Sequence, residues 1–188
     1  ITWFFSKHTI IPILSSKFFG KKIFCITGGY DTANLPEIKY GMRRFMLINY
    51  LMNFAFRFFD KIIVNSTFVV NELKLRGYIN NEILVIHHFI EQPNFDNIDY
   101  HSRNKEIVYI GGVNESNLER KGLRFFLESS KIVSDYSFIC IGNIDENLIP
   151  YLNNYPSVIF TGFISDNEIN IRLMSASIIL QPSLHEAF

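Results

Sequence analysis

The stretch that decides the fold is Ile107-Val108-Tyr109-Ile110-Gly111-Gly112, which is followed by Arg120-Lys121-Gly122. A short apolar run that ends at a glycine pair is typical of a buried parallel strand and the turn after it. The periodic segment 121–134 then predicts a helix. Glycines allow close backbone approach, and the amino end of a helix favours phosphate. A plain turn with a solvated basic pair is the alternative that this stretch leaves open.

The same rhythm continues toward residue 188. The pattern predicts strands over 138–141, 158–161 and 178–181, with helices over 146–153 and 166–175. The last strand leads into Pro182-Ser183-Leu184-His185-Glu186. Glu186 is therefore expected at the carboxyl edge of the sheet, where its two acceptor oxygens suit a vicinal diol of a sugar. An acid at a helix start is the alternative reading of Glu186.

Residues before the glycine pair predict a second block of the same kind. Strands are expected over 1–5, 22–27, 61–65 and 82–87, and helices over 8–19, 43–59 and 67–76, the last with Ser66 as its N-cap. Gly28-Gly29-Tyr30-Asp31 follows the second strand, and Asp31 is either a cap or a cleft residue. His87-His88 resembles a metal pair only superficially, because adjacent residues at a strand end point to opposite faces.

The two blocks predict two doubly wound parallel-sheet domains of Rossmann-like type, over residues 1–88 and 105–188. The polar, aperiodic residues 89–104 form the expected linker. In such sheets ligands bind beyond the carboxyl ends of the strands, where the strand order changes direction. The loops after the strands are therefore where binding residues are expected.

Composition narrows the function classes. Eighteen basic and eighteen acidic residues cancel, so no overall field attracts nucleic acid. Cys25 and Cys140 lie in apolar runs and are expected to be buried thiols in a reducing compartment. No stretch reaches the ~18–20 uninterrupted apolar residues of a membrane span. The aromatic helix over 43–59 is expected to be buried, and peripheral membrane contact through it is the alternative.

Taken together, these pieces resemble the retaining glycosyltransferases of family 4, which have the GT-B fold of two Rossmann-like domains. The resemblance rests on four stretches: Lys61–His88, Ile107–Gly122, Phe138–Phe163 and Ser177–Phe188. It implies an N-terminal, acceptor-side domain and a C-terminal domain that binds a nucleotide sugar. Both domains are expected to be incomplete, and the chain to be a fragment cut at both ends.

The resemblance also implies roles for individual residues. Lys121 would hold the donor diphosphate and assist departure of the leaving group, and Glu186 would contact the donor sugar, so these two are the expected catalytic residues. The other expected donor-binding residues are Gly111, Gly112, Arg120, Gly162, Phe163 and Ser183. Gly29 and Asp31 are expected in the acceptor cleft. Family members usually carry Arg where this chain has Gly112, and either Arg120 or Arg124 is the expected substitute. Residues 114–119 are expected to form a longer loop before these arginines.

The function that the resemblance implies is transfer of a hexose from a nucleotide diphosphate sugar to an acceptor hydroxyl. It implies no metal and no cofactor beyond the donor, a glycan or lipid-linked acceptor, and a role in surface polysaccharide or glycolipid synthesis in the cytoplasm, at the inner face of the membrane. The partner of Glu186 in the paired-glutamate motif would be residue 194, so the chain is expected to be inactive. The alternatives are a non-catalytic sugar-nucleotide-binding module and a GT-B sugar-nucleotide 2-epimerase.

Overall fold

The computed structural model describes residues 1–78, 83–89 and 103–187. The chain divides into two compact units: Ile1–Glu91 together with Glu186–Phe188, and Gln92–His185. Most of the predicted linker, residues 90–102, lies outside the described residues.

The first unit is a parallel sheet in which each strand adds to the same side. Its strands are β1 (Thr2–Trp3), β2 (Phe24–Ile26), β3 (Lys61–Val64) and β4 (Ile83–Val85), in the order β1-β2-β3-β4. Helices α1 (Ile10–Phe18), α2 (Met46–Phe56) and α3 (Thr67–Leu75) connect them. Ser66 caps α3 as predicted, because its Oγ accepts from the Val69 N–H at 3.3 Å.

All three helices pack on one face of this sheet. Right-handed crossovers that always step in the same direction place successive helices on the same side. One apolar cluster accordingly contains residues of every helix and of the sheet: Ile13, Met52, Phe56, Val69, Leu73, Cys25, Ile62 and Val64. The helix faces that point away from the sheet are therefore a surface of the described part of this unit.

The second unit reverses its strand order. Its strands are β5 (Asn104–Ile110), β6 (Ser137–Ile141), β7 (Val158–Gly162) and β8 (Ala176–Ile179), all parallel and ordered β7-β6-β5-β8. Its helices are α4 (Glu115–Arg120), α5 (Leu123–Ile132), α6 (Ile149–Leu152) and α7 (Asp166–Ser175). Separate apolar clusters, one with α5 and α6 and one with α7, cover its two faces. The switch point of this sheet lies between β5 and β8.

Two helix predictions are corrected. The helix expected over 121–134 is α5, which begins only at Leu123 because Gly122, at φ 67°, precedes it, and a separate helix α4 with Asn114 as its N-cap comes before that glycine. Residues 114–119, expected as a loop, thus lie largely in α4. The helix expected over 43–59 contains only α2, because Phe45 is extended and a 3₁₀ turn, Met42–Arg44, precedes it.

Other boundaries shift by a few residues. The helix predicted over 166–175 is confirmed at both ends, since Ser165 and Glu168 form a reciprocal capping box. Strands β1, β2 and β4 are shorter than predicted, whereas β5 begins at Asn104, three residues earlier. No helix among the described residues is both long and apolar enough to cross a bilayer.

Candidate functional site

The loops after β5 and β8 meet at the switch point of the second unit. The Leu184 N–H donates to the Arg120 carbonyl at 2.9 Å, which joins the loop after β8 to the end of α4. On the other side of β5, the Gly111 N–H donates to Ile141 at 2.9 Å. Gly111, Gly112, Arg120 and the loop after β8 are thereby held at one edge of the sheet, as the sequence predicts for a ligand site.

Two glycines that were not among the expected donor-binding residues permit this close approach. A Cβ on Gly122 would lie 2.2 Å from the Pro182 carbonyl oxygen. A Cβ on Gly142 would lie 2.1 Å from the Gly111 carbonyl oxygen. Both have positive φ, 67° and 150°, so a side chain at either position would meet steric and backbone strain together. Gly122 and Gly142 set the width of the site.

Lys121 lies at the junction of two helices rather than in the first turn of one. It is the C-cap of α4, and the next residue, Gly122, is the N-cap of α5 without a side-chain cap hydrogen bond. The amino end of α5, a helix of 10 residues, therefore begins directly beside Lys121. The Lys121 side chain is half-buried.

Asn117 organises the glycine loop and Arg120. Its side chain is buried; Nδ2 donates to the Gly112 carbonyl at 2.7 Å, and Oδ1 accepts from Arg120 Nη2 at 2.6 Å. The sequence reading missed Asn117 because it took residues 114–119 for a loop. The N-cap type of Asn114, which accepts from the Asn117 N–H at 3.1 Å, was the signal for a helix there.

The remaining predicted donor residues are distributed around this edge. Gly162 ends β7 at φ 70°, and its carbonyl accepts from the Gly142 N–H at 3.0 Å. Phe163, the next residue, is 77% exposed. Ser183 is half-buried in the loop after β8, where its Oγ accepts from Gln181 Nε2 at 3.4 Å. Gly162 therefore lies at the end of β7, the strand next to β6, and Ser183 lies in the loop after β8.

Glu186 is grouped differently from the other donor candidates. Glu186 and Ala187 belong to the first unit. Ala187 is buried in the core of that unit, where its carbonyl accepts from Ser66 Oγ at 2.5 Å. Glu186 itself is half-buried. Its contact with a donor sugar in the second unit stays a prediction.

In the first unit, Asp31 is a buried residue that fixes two loops. Its carboxylate accepts from the Phe5 N–H at 2.9 Å and from the Gly28 N–H at 3.0 Å, so it joins the loops after β1 and β2. Burial raises the pKa of the Asp31 carboxyl above its ordinary value, although these hydrogen bonds lower it. Gly29 is buried at φ 97°, and a Cβ there would lie 2.6 Å from the Ala187 Cβ. Both residues hold the loop after β2, and their contact with an acceptor stays a prediction.

Arg43 is a buried cation that the sequence reading placed in an ordinary helix. Its Nη1 donates to Asn49 and Asn53, at 2.9 and 2.7 Å, and its Nε donates to the Asp31 carbonyl at 3.3 Å. The guanidinium also lies over the Phe56 ring, 5.1 Å from its centre. Burial lowers the pKa of Arg43 to about 10. Arg43 therefore ties the loop after β2 to α2.

A pocket of about 380 Å³ lies at the carboxyl edge of the first sheet, and Gly28, Asn65, His87 and His88 are among its lining residues. His87 Nδ1 is 3.0 Å from the Asn65 carbonyl, and His88 Nε2 is 3.2 Å from Asn65 Nδ2. The expectation that the two histidines point to opposite faces is wrong, because β4 ends at Val85 and the strand alternation no longer applies. Among residues 1–78, 83–89 and 103–187, no three metal-ligating side chains cluster.

Comparison with known proteins gives the fold. No family model matches the chain, and no curated protein sequence matches it. Solved structures do match it. HepE of Anabaena, in complex with UDP and glucose, aligns with 97% of this chain and 52% of its own, at 14% identity and a TM-score of 0.67. The lipopolysaccharide outer core galactosyltransferase WaaB aligns with 96% of this chain and 49% of its own, at 13% identity and 0.64.

Sucrose-phosphate synthase from Thermosynechococcus elongatus matches with a TM-score of 0.72 at 13% identity, over 95% of this chain and 49% of its own. The chain thus spans about half the length of these structures. At such identities the likeness concerns architecture. With its two parallel sheets and alternating helices, the chain has an α/β fold of GT-B type, as the sequence predicted.

Proposed function

We propose that the chain belongs to a glycosyltransferase that moves a hexose from a nucleotide diphosphate sugar to an acceptor hydroxyl, with retention of configuration. The observation that carries this proposal is the meeting of the loops after β5 and β8 at the switch point, beside the amino end of α5 and Lys121. The GT-B neighbours, whose structures include one with UDP and glucose, are consistent with a nucleotide-sugar donor.

The chemistry that these residues can supply is neutralisation of a diphosphate leaving group. The first-turn N–H groups of α5 and the half-buried Lys121 would meet the developing negative charge in surroundings where solvent screens it less than in bulk water. The glycine loop would let phosphate oxygens approach the backbone, as Gly111 and Gly112 carry no side chain. Arg120, which Asn117 holds, would supply a second cation. It would replace the Arg that family members carry at the position of Gly112. Glu186 would accept from sugar hydroxyls.

The remaining parts of the proposal concern partners. A glycan or lipid-linked acceptor would lie on the side of the first unit, near Gly29 and Asp31, and the pathway would be surface polysaccharide or glycolipid synthesis at the cytoplasmic face of a membrane. No cofactor is proposed beyond the donor itself.

Titration calorimetry with UDP tests the donor site without requiring turnover. Wild-type chain should bind UDP with 1:1 stoichiometry. Lys121→Ala should weaken binding about 10- to 100-fold, the effect of one or two charge-assisted hydrogen bonds of about 1.5–3 kcal/mol. The matched control is Lys131→Ala, whose ammonium is 3.2 Å from Glu128 on the exposed side of α5 and should leave UDP affinity unchanged. Absence of saturable UDP binding, or equal losses in the two variants, would refute the proposed site.

A further inference from the structure

The pocket at the carboxyl edge of the first sheet is formed where all four strands of that sheet end. Trp3, Ile26 and Val64 are the last residues of β1, β2 and β3 and line the pocket, as does Ile86 just after β4. Its volume of about 380 Å³ lies in the range of small-molecule sites. Ligands of parallel sheets bind at this edge, so the lining side chains decide which ligand the pocket can hold.

Three aromatic side chains line the pocket and remain open to solvent. Trp3, Phe4 and Phe89 are 66%, 51% and 88% exposed. The rings of Trp3 and Phe4 lie edge to face, with their centres 6.1 Å apart. Aromatic rings that stay open at a pocket can pack against the flat, apolar face of a ligand.

The position of Phe4 is fixed by its surroundings. Its φ of 57° is left-handed, a conformation that steric repulsion disfavours for a bulky residue. The Phe4 N–H donates to the Ile26 carbonyl at 2.8 Å, and the next N–H, of Phe5, donates to Asp31 Oδ2 at 2.9 Å. The ring of Phe4 covers Gly28, where an added Cβ would collide with it. A strained backbone that its surroundings hold in place is typical of ligand-binding positions.

Two polar side chains of the pocket offer hydrogen-bond acceptors. Asn65 is only 9% exposed, and its Oδ1 has no hydrogen-bond partner in the described part of the chain. A buried acceptor without a donor is unfavourable, and a ligand hydroxyl would supply that donor. His87 Nδ1 is 3.0 Å from the Asn65 carbonyl, which can only accept. Nδ1 therefore carries the hydrogen, and Nε2 of the neutral ring is a second acceptor.

The lining excludes two other classes of ligand. Among the described residues that line the pocket, none is Asp, Glu, Lys or Arg, so a phosphate group would find no cation there. A hydrocarbon chain would cover the acceptors of Asn65 and His87 without giving either a donor, which is unfavourable. A neutral sugar ring combines an apolar C–H face, which suits the aromatic rings, with hydroxyl groups, which suit the two acceptors.

We infer that this pocket binds an uncharged hexose ring at the reacting end of the acceptor. The acceptor class is then a neutral saccharide end, and any phosphate or lipid part of the acceptor lies outside the pocket. This inference rests on the proposed function for the assignment of the sugar as the acceptor, whereas the binding of the sugar can be measured without a donor.

The fluorescence of Trp3 tests the inference, because Trp3 is the only tryptophan of the chain. The chain is titrated with methyl α-glucoside, methyl α-galactoside and methyl α-mannoside, and at least one of them should change the emission in a saturable way. Phe89→Ala and Asn65→Ala should each weaken that binding about tenfold, since they remove a packing surface and a hydrogen bond. Asn65→Ala should not lower the melting temperature of the free chain, because it removes an unpartnered polar atom. A purely structural Asn65 would lower it.

Phe18→Ala is the matched control for Phe89→Ala. Phe18 is 83% exposed on α1 and does not line the pocket, so its removal should leave hexoside affinity unchanged. The inference is overturned if no hexoside gives a saturable change, or if Phe18→Ala weakens binding as much as Phe89→Ala. Saturable binding of geraniol without binding of any hexoside also overturns it, since the occupant would then be a hydrocarbon chain.

Titration with UDP separates this inference from the proposed function. A chain that binds UDP but no hexoside overturns the saccharide pocket alone. A chain that binds a hexoside but not UDP supports the saccharide pocket and refutes the proposed donor site.

Discussion

Gly122→Ala should destabilise the second unit by about 3 kcal/mol, whereas Gly162→Ala should cost about 1 kcal/mol. The two glycines form a matched pair because their φ angles are 67° and 70°. They differ in their surroundings: a Cβ on Gly122 would lie 2.2 Å from the Pro182 carbonyl oxygen, and a Cβ on Gly162 would meet nothing within 4 Å. The Gly162 variant therefore measures backbone strain alone.

The additional cost at Gly122 comes from overpacking. Pro182 presents its backbone carbonyl, which cannot rotate away like the end of a flexible side chain, so the loops after β5 and β8 must separate. Overpacking of this kind typically costs about 1–3 kcal/mol beyond the strain. A difference of about 2 kcal/mol between the two variants corresponds to roughly thirtyfold in the opening equilibrium of the second unit.

Cys140 provides the assay. It is fully buried in β6, so its thiol reacts with iodoacetamide only when the second unit opens. In a Cys25→Ala background, Cys140 is the only thiol in the chain. Labelling followed by mass spectrometry should be about fivefold faster than wild type for Gly162→Ala and about thirtyfold faster again for Gly122→Ala. Equal labelling rates in the two variants would show that Gly122 does not pack against Pro182, and the geometry of the candidate site would be wrong.

Three further outcomes are expected. Burial raises the pKa of Cys25 and Cys140 to about 12, so at pH 8 only about 1 in 10,000 of each thiol is ionised. Iodoacetamide should therefore label the folded chain far more slowly than the chain in denaturant. Rapid labelling of the folded chain would contradict this burial. Arg43→Ala should destabilise the first unit by about 3 kcal/mol, because the substitution leaves buried amide oxygens without their donor. Faster labelling of Cys25 measures this loss of stability. A loss of stability below about 0.5 kcal/mol, the usual effect of a surface substitution, would refute the buried network. Asn117→Ala should weaken UDP binding about tenfold in calorimetry, because Arg120 loses its orienting partner; unchanged affinity would exclude a positioning role.

Local sequence signals predicted most of the secondary structure and failed where two signals competed. Ser66 and the Ser165–Glu168 pair are short-range caps, and both helices begin where these residues predict. The helical period from Lys121 onward is also a local signal. The helix nevertheless begins only after Gly122, because Gly122 has a left-handed backbone conformation, which the spacing of apolar residues does not reveal. Asn114 could have identified α4, because its cap type was visible in the sequence.

The candidate site could be predicted only in part. Gly111, Gly112 and Lys121 were visible because they follow a buried strand, and strand ends in parallel sheets share one edge. Asn117 and Arg43 were not visible, since their importance comes from burial and from partners such as Gly112 and Asn53, which burial and packing bring close.

The sequence by itself determined the alternation of strands and helices, the fold class and the positions of the glycine loops, because these depend on residue period and on backbone freedom within a few positions. The tertiary structure decided which loops meet. Two contacts join segments that are about 60 residues apart in the chain: the hydrogen bond between Leu184 and Arg120, and the close approach of Gly122 and Pro182. These segments meet because β5 and β8 are neighbours in the strand order β7-β6-β5-β8. It also decided that α1, α2 and α3 pack on the same face of the first sheet, because the direction of each crossover, which helical period does not encode, selects that face.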